Sequence, residues 1–478
     1  MILLSCYLLA QLVLTVWADD LSVPSSWDGF ISKASREERI NRTMEAIDGF
    51  IASDDLLKDS IQPPRKFSDD YWPYGELLVL IADFDIFTNQ TRYKQIAQQR
   101  FLPALQRTTP NDNHYGYAAI RAYLAYRDEA FLDIAKDYWA SNRSLTLSDA
   151  DVQSKSSSAK SKINSTMSLA CSKSDSEYTL AGATFHSTDP NDLLITTAST
   201  ADYLTFTLSL ATVPSNLDPA YMTLANQMGQ FIRTALYKGS GLFYSNIPVG
   251  DPDCPPRRNE GGAAVSDAAV TMQSLSLLEL SSENNYFTDV LRDIARNATG
   301  SGPSGWNSDN GVLDIQKFPA TRRNNVQSSQ QLLRSYFDLA LGDGPSDLRT
   351  YLRAYLAIQA SSPELCVVHA LSDRKRGHQY DALVKQAAFT SGVPNLYGTG
   401  LRPESQLNPE AQTLAITALL GGVISSNVTS PNDPRTGGNV SDTGSRGRVP
   451  IGAIVGGVVG GVLALALAIA GSYYYLCR

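Results

Sequence analysis

Five stretches of the chain place acidic side chains beside aromatic, amide or glycine residues. They are Ser68-Asp69-Asp70-Tyr71-Trp72-Pro73-Tyr74, Asn111-Asp112-Asn113-His114-Tyr115-Gly116-Tyr117, Ala181-Gly182-Ala183-Thr184-Phe185-His186 with Asp189 and Asp192, Arg257-Arg258-Asn259-Glu260-Gly261-Gly262, and a stretch with Trp306 and Asp309. Aromatic faces stack on pyranose rings, while paired carboxyls can protonate a leaving oxygen and stabilise an oxocarbenium-like centre. The types therefore suit a sugar site. Read singly, each aspartate also suits a helix cap and each tyrosine a core edge with a satisfied hydroxyl.

The elements around these stretches are helical. Ile40, Met44, Ile47 and Ile51, or Tyr221, Leu224, Met228 and Phe231, repeat at helical period, and strand-like alternation is nearly absent. Asp218 followed by Pro219 marks one helix start, and Gly239 stops the same helix. This pattern predicts twelve helices, at 35–52, 72–88, 91–106, 113–127, 129–141, 191–211, 218–238, 259–281, 285–297, 327–341, 346–360 and 407–424.

Segments after the odd helices are mostly long (53–71, 107–112, 142–190, 239–258, 298–326 and 361–406), and those after the even helices are a few residues each. Short links force antiparallel neighbours, so the chain packs as successive hairpins with every long loop on one face. Six hairpins closing in a ring give an all-α (α/α)6 toroid. The even helices form its inner ring because they hold the more uniformly apolar stretches, such as Leu193 to Leu210 and Ala263 to Leu280. An open solenoid fits the same helix number, but no repeat of constant length supports it. Function belongs to the long-loop face, which carries all five mixed stretches.

Residues 30–424 resemble glycoside hydrolase family 76, the endo-α-1,6-mannanase group, in a fungal cell-surface form. The anchors are Asn111 to Tyr123, similar to an Asp-Asp pair leading into an aromatic, alanine-rich inner helix, and Asn259-Glu260-Gly261, similar to a Tyr-Asn-Gln-Gly turn. Ala181 to His186 resembles a Gly-Gly and aromatic loop. The resemblance implies an (α/α)6 barrel and a retaining hydrolase or transglycosidase acting on α-mannan of the wall or of glycoprotein glycans, with no cofactor and no metal. Trp72, Tyr115, Asn259, Phe185 and His186 are the expected substrate contacts.

The departure from that family lies in the acidic pair. The family's two consecutive aspartates are nucleophile and general acid/base, whereas this chain offers Asp112 between Asn111 and Asn113. Double displacement needs both a nucleophile and a separate proton donor. The partner of Asp112 is therefore sought in Asp70 or Glu260, with Asp69-Asp70 as the runner-up pair. The other outcome is an inactive carbohydrate-binding protein on the same scaffold. A helical lyase or epimerase, which would use a His or Tyr base and an arginine cluster, draws on Arg257-Arg258 and Arg322-Arg323.

The chain's ends point to the secretory pathway and the cell surface. Residues 2–16 have the length of a signal-peptide apolar region, and Val16-Trp17-Ala18 fits cleavage before Asp19, so 1–18 is expected to be removed. Seven N-x-S/T sequons agree with export, at Asn41, Asn89, Asn142, Asn164, Asn297, Asn427 and Asn439. Residues 19–424 form the ectodomain and 425–449 a Ser-, Pro- and Gly-rich glycosylated stalk. Ile451 to Cys477 carries no charge and would span about 40 Å as a helix, so 450–477 reads as a single C-terminal transmembrane helix. Gly452, Gly456 and Gly460 offer a spacing that suits weak homodimerisation, and a lipid anchor near Gly437 and Gly438 is the alternative attachment.

Forty basic against 48 acidic side chains leave a net charge of −8, which provides no basic stripe for nucleic acid. The ectodomain keeps three of the chain's five cysteines. Cys171 and Cys254 in polar loops can pair, leaving Cys366, and no Cys/His spacing resembles a zinc site. Ala360 to Gln379 interrupts what reads as one amphipathic helix, as an insertion or as an error in the gene's exon assignment.

Overall fold

The computed structural model describes residues 21–27, 34–53, 72–108, 113–154, 178–187, 189, 192–214, 218–249, 256–257, 264–281, 286–300, 306–307, 311–313, 322–342, 344–361 and 409–426. Among them are all twelve expected helices. These are α1 (Arg36–Ser53), α2 (Trp72–Thr88), α3 (Lys94–Ile96, then Ala97–Phe101 and Leu102–Arg107), α4 (Asn113–Tyr126), α5 (Glu129–Arg143) and α6 (Thr197–Ala211). The chain continues with α7 (Pro219–Phe231, then Ile232–Leu236), α8 (Ala264–Ser281), α9 (Thr288–Thr299), α10 (Arg322–Leu341), α11 (Ser346–Ser361) and α12 (Pro409–Ser425).

Helix α2 packs on α4, α4 on α6, α6 on α8, α8 on α10, α10 on α12, and α12 returns to α2. That circuit closes an inner ring of six. The odd helices lie outside it, with α5 against α4, α7 against α6, α9 against α8, and α11 against both α10 and α12. Composition explains the division. Leu77 to Ala82 of α2 are all fully buried, as a helix enclosed on every side requires, whereas α9 buries the stripe Val290, Leu291, Ile294, Ala295 and Ala298, with Thr299 at its end.

Local sequence sets the helix starts. Ser35 accepts from the Glu38 amide at 3.2 Å, Thr196 from the Ser199 amide at 3.0 Å, and Asp218 from the Ala220 amide at 2.8 Å with Pro219 in the first turn. In α3, Pro103 has no amide to donate and its ring crowds the preceding turn. The helix widens to a π turn over Ala97–Phe101, closed by the Leu102 amide on the Ala97 carbonyl.

Some boundaries differ from expectation. Helix α6 starts at Thr197 rather than 191, because Leu194–Thr196 is a short strand, β1, paired antiparallel with β4 (Asn246–Pro248). A second two-stranded ribbon joins β2 (Tyr237–Gly239) to β3 (Leu242–Phe243), so α7 ends at Leu236 rather than 238. Gly239 and Gly241 turn that ribbon at φ +103° and +69°. Apolar runs this short do not show their period, and β1 continues the apolar stretch of the helix after it. Helix α10 begins at Arg322, five residues earlier than its apolar pattern indicates.

The signal peptide, the stalk from residue 427, the membrane span, Cys171, Cys254, Cys366, and Asn164, Asn427 and Asn439 lie outside the described residues, as does the interruption after Ser361. Among the described residues no helix is long and apolar enough to cross a membrane. Asn41 and Asn89 are exposed and Asn297 is half-buried. Asn142 is 2% exposed, and its Nδ2 donates to the Tyr138 carbonyl at 2.9 Å.

Candidate functional site

Each of the first five inner helices is followed by a short link and an outer helix running back, and α12 runs in the same direction as α10, with Thr413 on Gln330 and Gly421 beside Phe337, so the inner helices are parallel and all six N-termini open on the long-loop face. Their aligned dipoles place partial positive charge at one mouth, which favours carboxylates there. Asp70, Asp112 and Glu260, together with Asn259, lie outside the described residues, in segments that lead directly into α2, α4 and α8. Trp72 is the first residue of α2.

Below the mouth, polar side chains interrupt otherwise apolar inner helices. Glu76 of α2 is fully buried, and Arg334 Nη1 of α10 donates to both of its oxygens. Gln330 Nε2 donates to Glu76 Oε2 at 2.9 Å, and Thr413 of α12 donates to Gln330 Oε1 at 3.0 Å. His114 Nε2 of α4 lies 3.4 Å from Glu76 Oε1. Arg334 also lies 5.3 Å from the centre of the Tyr117 ring, whose hydroxyl accepts from Gln273 Nε2 of α8 at 3.0 Å. A buried charge is tolerated only when paired in this way.

Two turns deeper, Asp83 Oδ1 accepts from Arg121 Nε at 2.6 Å. Burial raises the Asp83 carboxyl above the usual range, opposed by Arg121, and burial likewise raises Asp338, opposed by Arg121 and Arg334. These groups were not singled out from the sequence. The available signal was a lone Glu or Arg inside an apolar inner helix, as in Gly75-Glu76-Leu77-Leu78 and Leu332-Leu333-Arg334-Ser335.

Another carboxyl stands in the first turn of α8. Asp267 is 4% exposed, and Ser245 Oγ donates to its Oδ2 at 2.7 Å. Burial, helped by the charge of Asp202 on α6, pushes its pKa up to about 7, against the Ser245 hydrogen bond. The packing of Phe206 against Gly116 sets the register of α6 on α4. One helical turn above Phe206, Asp202 therefore stands level with the start of α4.

Asn113, His186, Ser187 and Ser199 line a cleft between the start of α4, the 184–187 segment and the start of α6, with Thr184, Phe185, Leu145 and Asn142 beneath. His186 is exposed there. Of the other expected contacts, Tyr115 is 5% exposed, packed where α2 meets α4 with its Cε1 against Gly75, and Phe185 is 1% exposed, beside its backbone bridge to Ile195 at the floor of the cleft.

No protein-family model matches the sequence, and no curated protein matches it. Solved structures do. An inactive variant of a glycoside hydrolase family 76 α-1,6-mannanase from Salegentibacter sp., with two consecutive aspartates replaced by alanine and α-1,6-mannotetrose bound, matches at 14% identity. The match covers 81% of this chain and 99% of that one, with a TM-score of 0.57. The corresponding asparagine variant with α-1,6-mannotriose matches at 14% identity over the same shares, at 0.56. A family 76 α-mannanase of Bacteroides thetaiotaomicron matches at 12% identity over 81% and 95% of the two chains, at 0.50. The chain has the fold of the glycoside hydrolase family 76 α-1,6-mannanases.

Proposed function

We propose that the chain is a glycoside hydrolase or transglycosidase that cleaves or transfers α-1,6-linked mannan of the cell wall or of glycoprotein glycans, held at the cell surface by its C-terminal span. The observation that carries this reading is the convergence of six inner-helix N-termini on one mouth, into which the segments holding Asp70, Asp112 and Glu260 lead, beside a cleft whose described lining is uncharged. The fold supports it, since its solved neighbours include complexes with α-1,6-manno-oligosaccharides.

In the mechanism proposed, one carboxylate attacks the anomeric carbon while a protonated carboxyl gives its proton to the leaving oxygen. The second carboxyl then takes a proton from the water, or acceptor hydroxyl, that releases the sugar. Asp112 is one member of the pair. Asp70 and Glu260 remain candidate partners, and ring order favours Asp70, because α2 adjoins α4 whereas α6 stands between α4 and α8. Asp267 joins them, since a carboxyl pushed up to about 7 by burial is protonated in about half of the molecules at neutral pH. Replacing each with its amide and measuring sugar release from α-1,6-mannan tests the assignment: the true partner falls as far as Asp112→Asn.

A second reading, a carbohydrate-binding protein without turnover, draws on one observation. Asn111 and Asn113 flank Asp112, and the solved mannotriose complex was made inactive by turning two aspartates into asparagines.

A further inference from the structure

The geometry points to a second carbohydrate site on the outer wall of the ring, in a cleft between α5 and α7, where Trp139 seats one sugar ring and Arg143 and Asp149 hold its hydroxyls. The inference rests on the carbohydrate reading above and concerns a surface that α6 separates from the inside of the ring.

The cleft has a volume of about 320 Å³, at the lower end of the range for ligand pockets, so its occupant is a short piece of glycan. Trp139 of α5 and Leu224 of α7 form its floor, and Asp149, Ala220 and Thr223 stand exposed at its rim. Both helices lie outside the inner ring, and Trp139 meets α6 from that side. Its Nε1 donates to Thr207 Oγ1 at 3.0 Å, its ring stacks on Tyr203 with centres 6.3 Å apart, and Tyr221 lies edge to face at 4.6 Å. Three neighbours thus fix the indole, yet it stays half-buried, and what they leave uncovered lines the cleft. A ring already held in place loses little freedom when a ligand stacks on it.

The polar groups beside the indole are braced in the same way. Arg143 Nη1 donates to the Thr146 carbonyl at 2.9 Å, which anchors the guanidinium and leaves its other N–H donors for a ligand. Asp149 opens the short helix Asp149–Ser154, and its Oδ2 accepts from Gln227 Nε2 of α7 at 2.6 Å, which leaves Oδ1 as an acceptor. The Ser148 and Thr223 hydroxyls are given to Asp151 and to the Pro219 carbonyl. One cation and one anion offset each other, which favours an uncharged ligand. An indole between a donor and an acceptor suits a pyranose, with its apolar C–H face and its hydroxyls that both donate and accept. Holding the polymer that also enters the mouth, this cleft raises the local concentration of substrate.

The test titrates α-1,6-mannotetraose into the full chain carrying 5-fluorotryptophan and follows the fluorine resonances, assigned by Trp139→Phe and Trp72→Phe. Trp72 stands at the start of α2 and reports the mouth, and Trp139 reports the outer cleft. The proposal expects a saturable shift at Trp139, with Arg143→Ala and Asp149→Ala each raising the Kd read there at least fivefold while the Kd read at Trp72 keeps its parent value. Circular dichroism checks folding, and should one variant fail to fold the other carries the decision. A shift at Trp72 with none at Trp139 overturns the outer site and leaves the carbohydrate reading standing. A shift at Trp139 that neither variant weakens also overturns the site. Stillness at both resonances overturns the outer site together with the mannan reading.

Discussion

Arg334 of α10 grips both carboxylate oxygens of Glu76 of α2, so two fully buried charges are joined across the inner ring. Removing either partner strands the other. Glu76→Gln and Arg334→Met should each lower stability by about 3–5 kcal/mol in denaturant melts, while the double variant should fall well short of the sum. Additive losses would mean the two charges do not depend on each other.

The buried carboxyl of Asp267 predicts a pH dependence. Burial holds its folded pKa up at about 7, against 3.8 for a solvent-exposed aspartate. The native state thus holds a proton that the unfolded chain has lost between about pH 4 and 7. Stability from this group is complete below about pH 4 and is lost as pH rises through 7. The thermal midpoint of the parent chain minus that of Asp267→Asn should therefore fall from pH 5 to pH 8, and a flat difference would refute the assignment.

At the contact between α4 and α6 there is no spare volume. A Cβ on Gly116 would lie 2.5 Å from Phe206 ring carbons and 2.9 Å from Tyr138 Cβ. Gly116→Ala should cost about 1–3 kcal/mol through overpacking, read as a lower denaturation midpoint with an unchanged slope.

Glycan mapping of the full chain expressed in a eukaryotic host should separate the sequons by exposure. Asn41 and Asn89 should carry glycans and Asn142 should be bare, because only the last has its Nδ2 committed inside the fold. Occupancy at Asn142 would show that the end of α5 is open when the transferase acts.

The ring was legible because long and short links largely alternate. Links such as 127–128 leave α4 and α5 no choice but to pack antiparallel, and uniformly apolar helices such as α2 have nowhere to lie but inside. The polar centre was not legible, because it is assembled from residues far apart in sequence. Glu76 meets Gln330 and Arg334 only when the ring closes, and Asp267 acquires its environment from Ser245 and Asp202. Motif proximity did not foretell the burial of Tyr115 and Phe185, which lie near acidic residues in the chain and whose rings pack between elements.

The central claim is that the mouth of the inner ring breaks glycosidic bonds with Asp112 as one of two carboxyls. Release of reducing sugar from α-1,6-mannan oligosaccharides by the parent chain and by Asp112→Asn tests it most directly. The account predicts measurable release by the parent and a loss of several orders of magnitude in the variant, since removing a nucleophile or acid closes the route. Full turnover by Asp112→Asn would contradict the site, and mannan binding without any release by the parent would contradict the hydrolase.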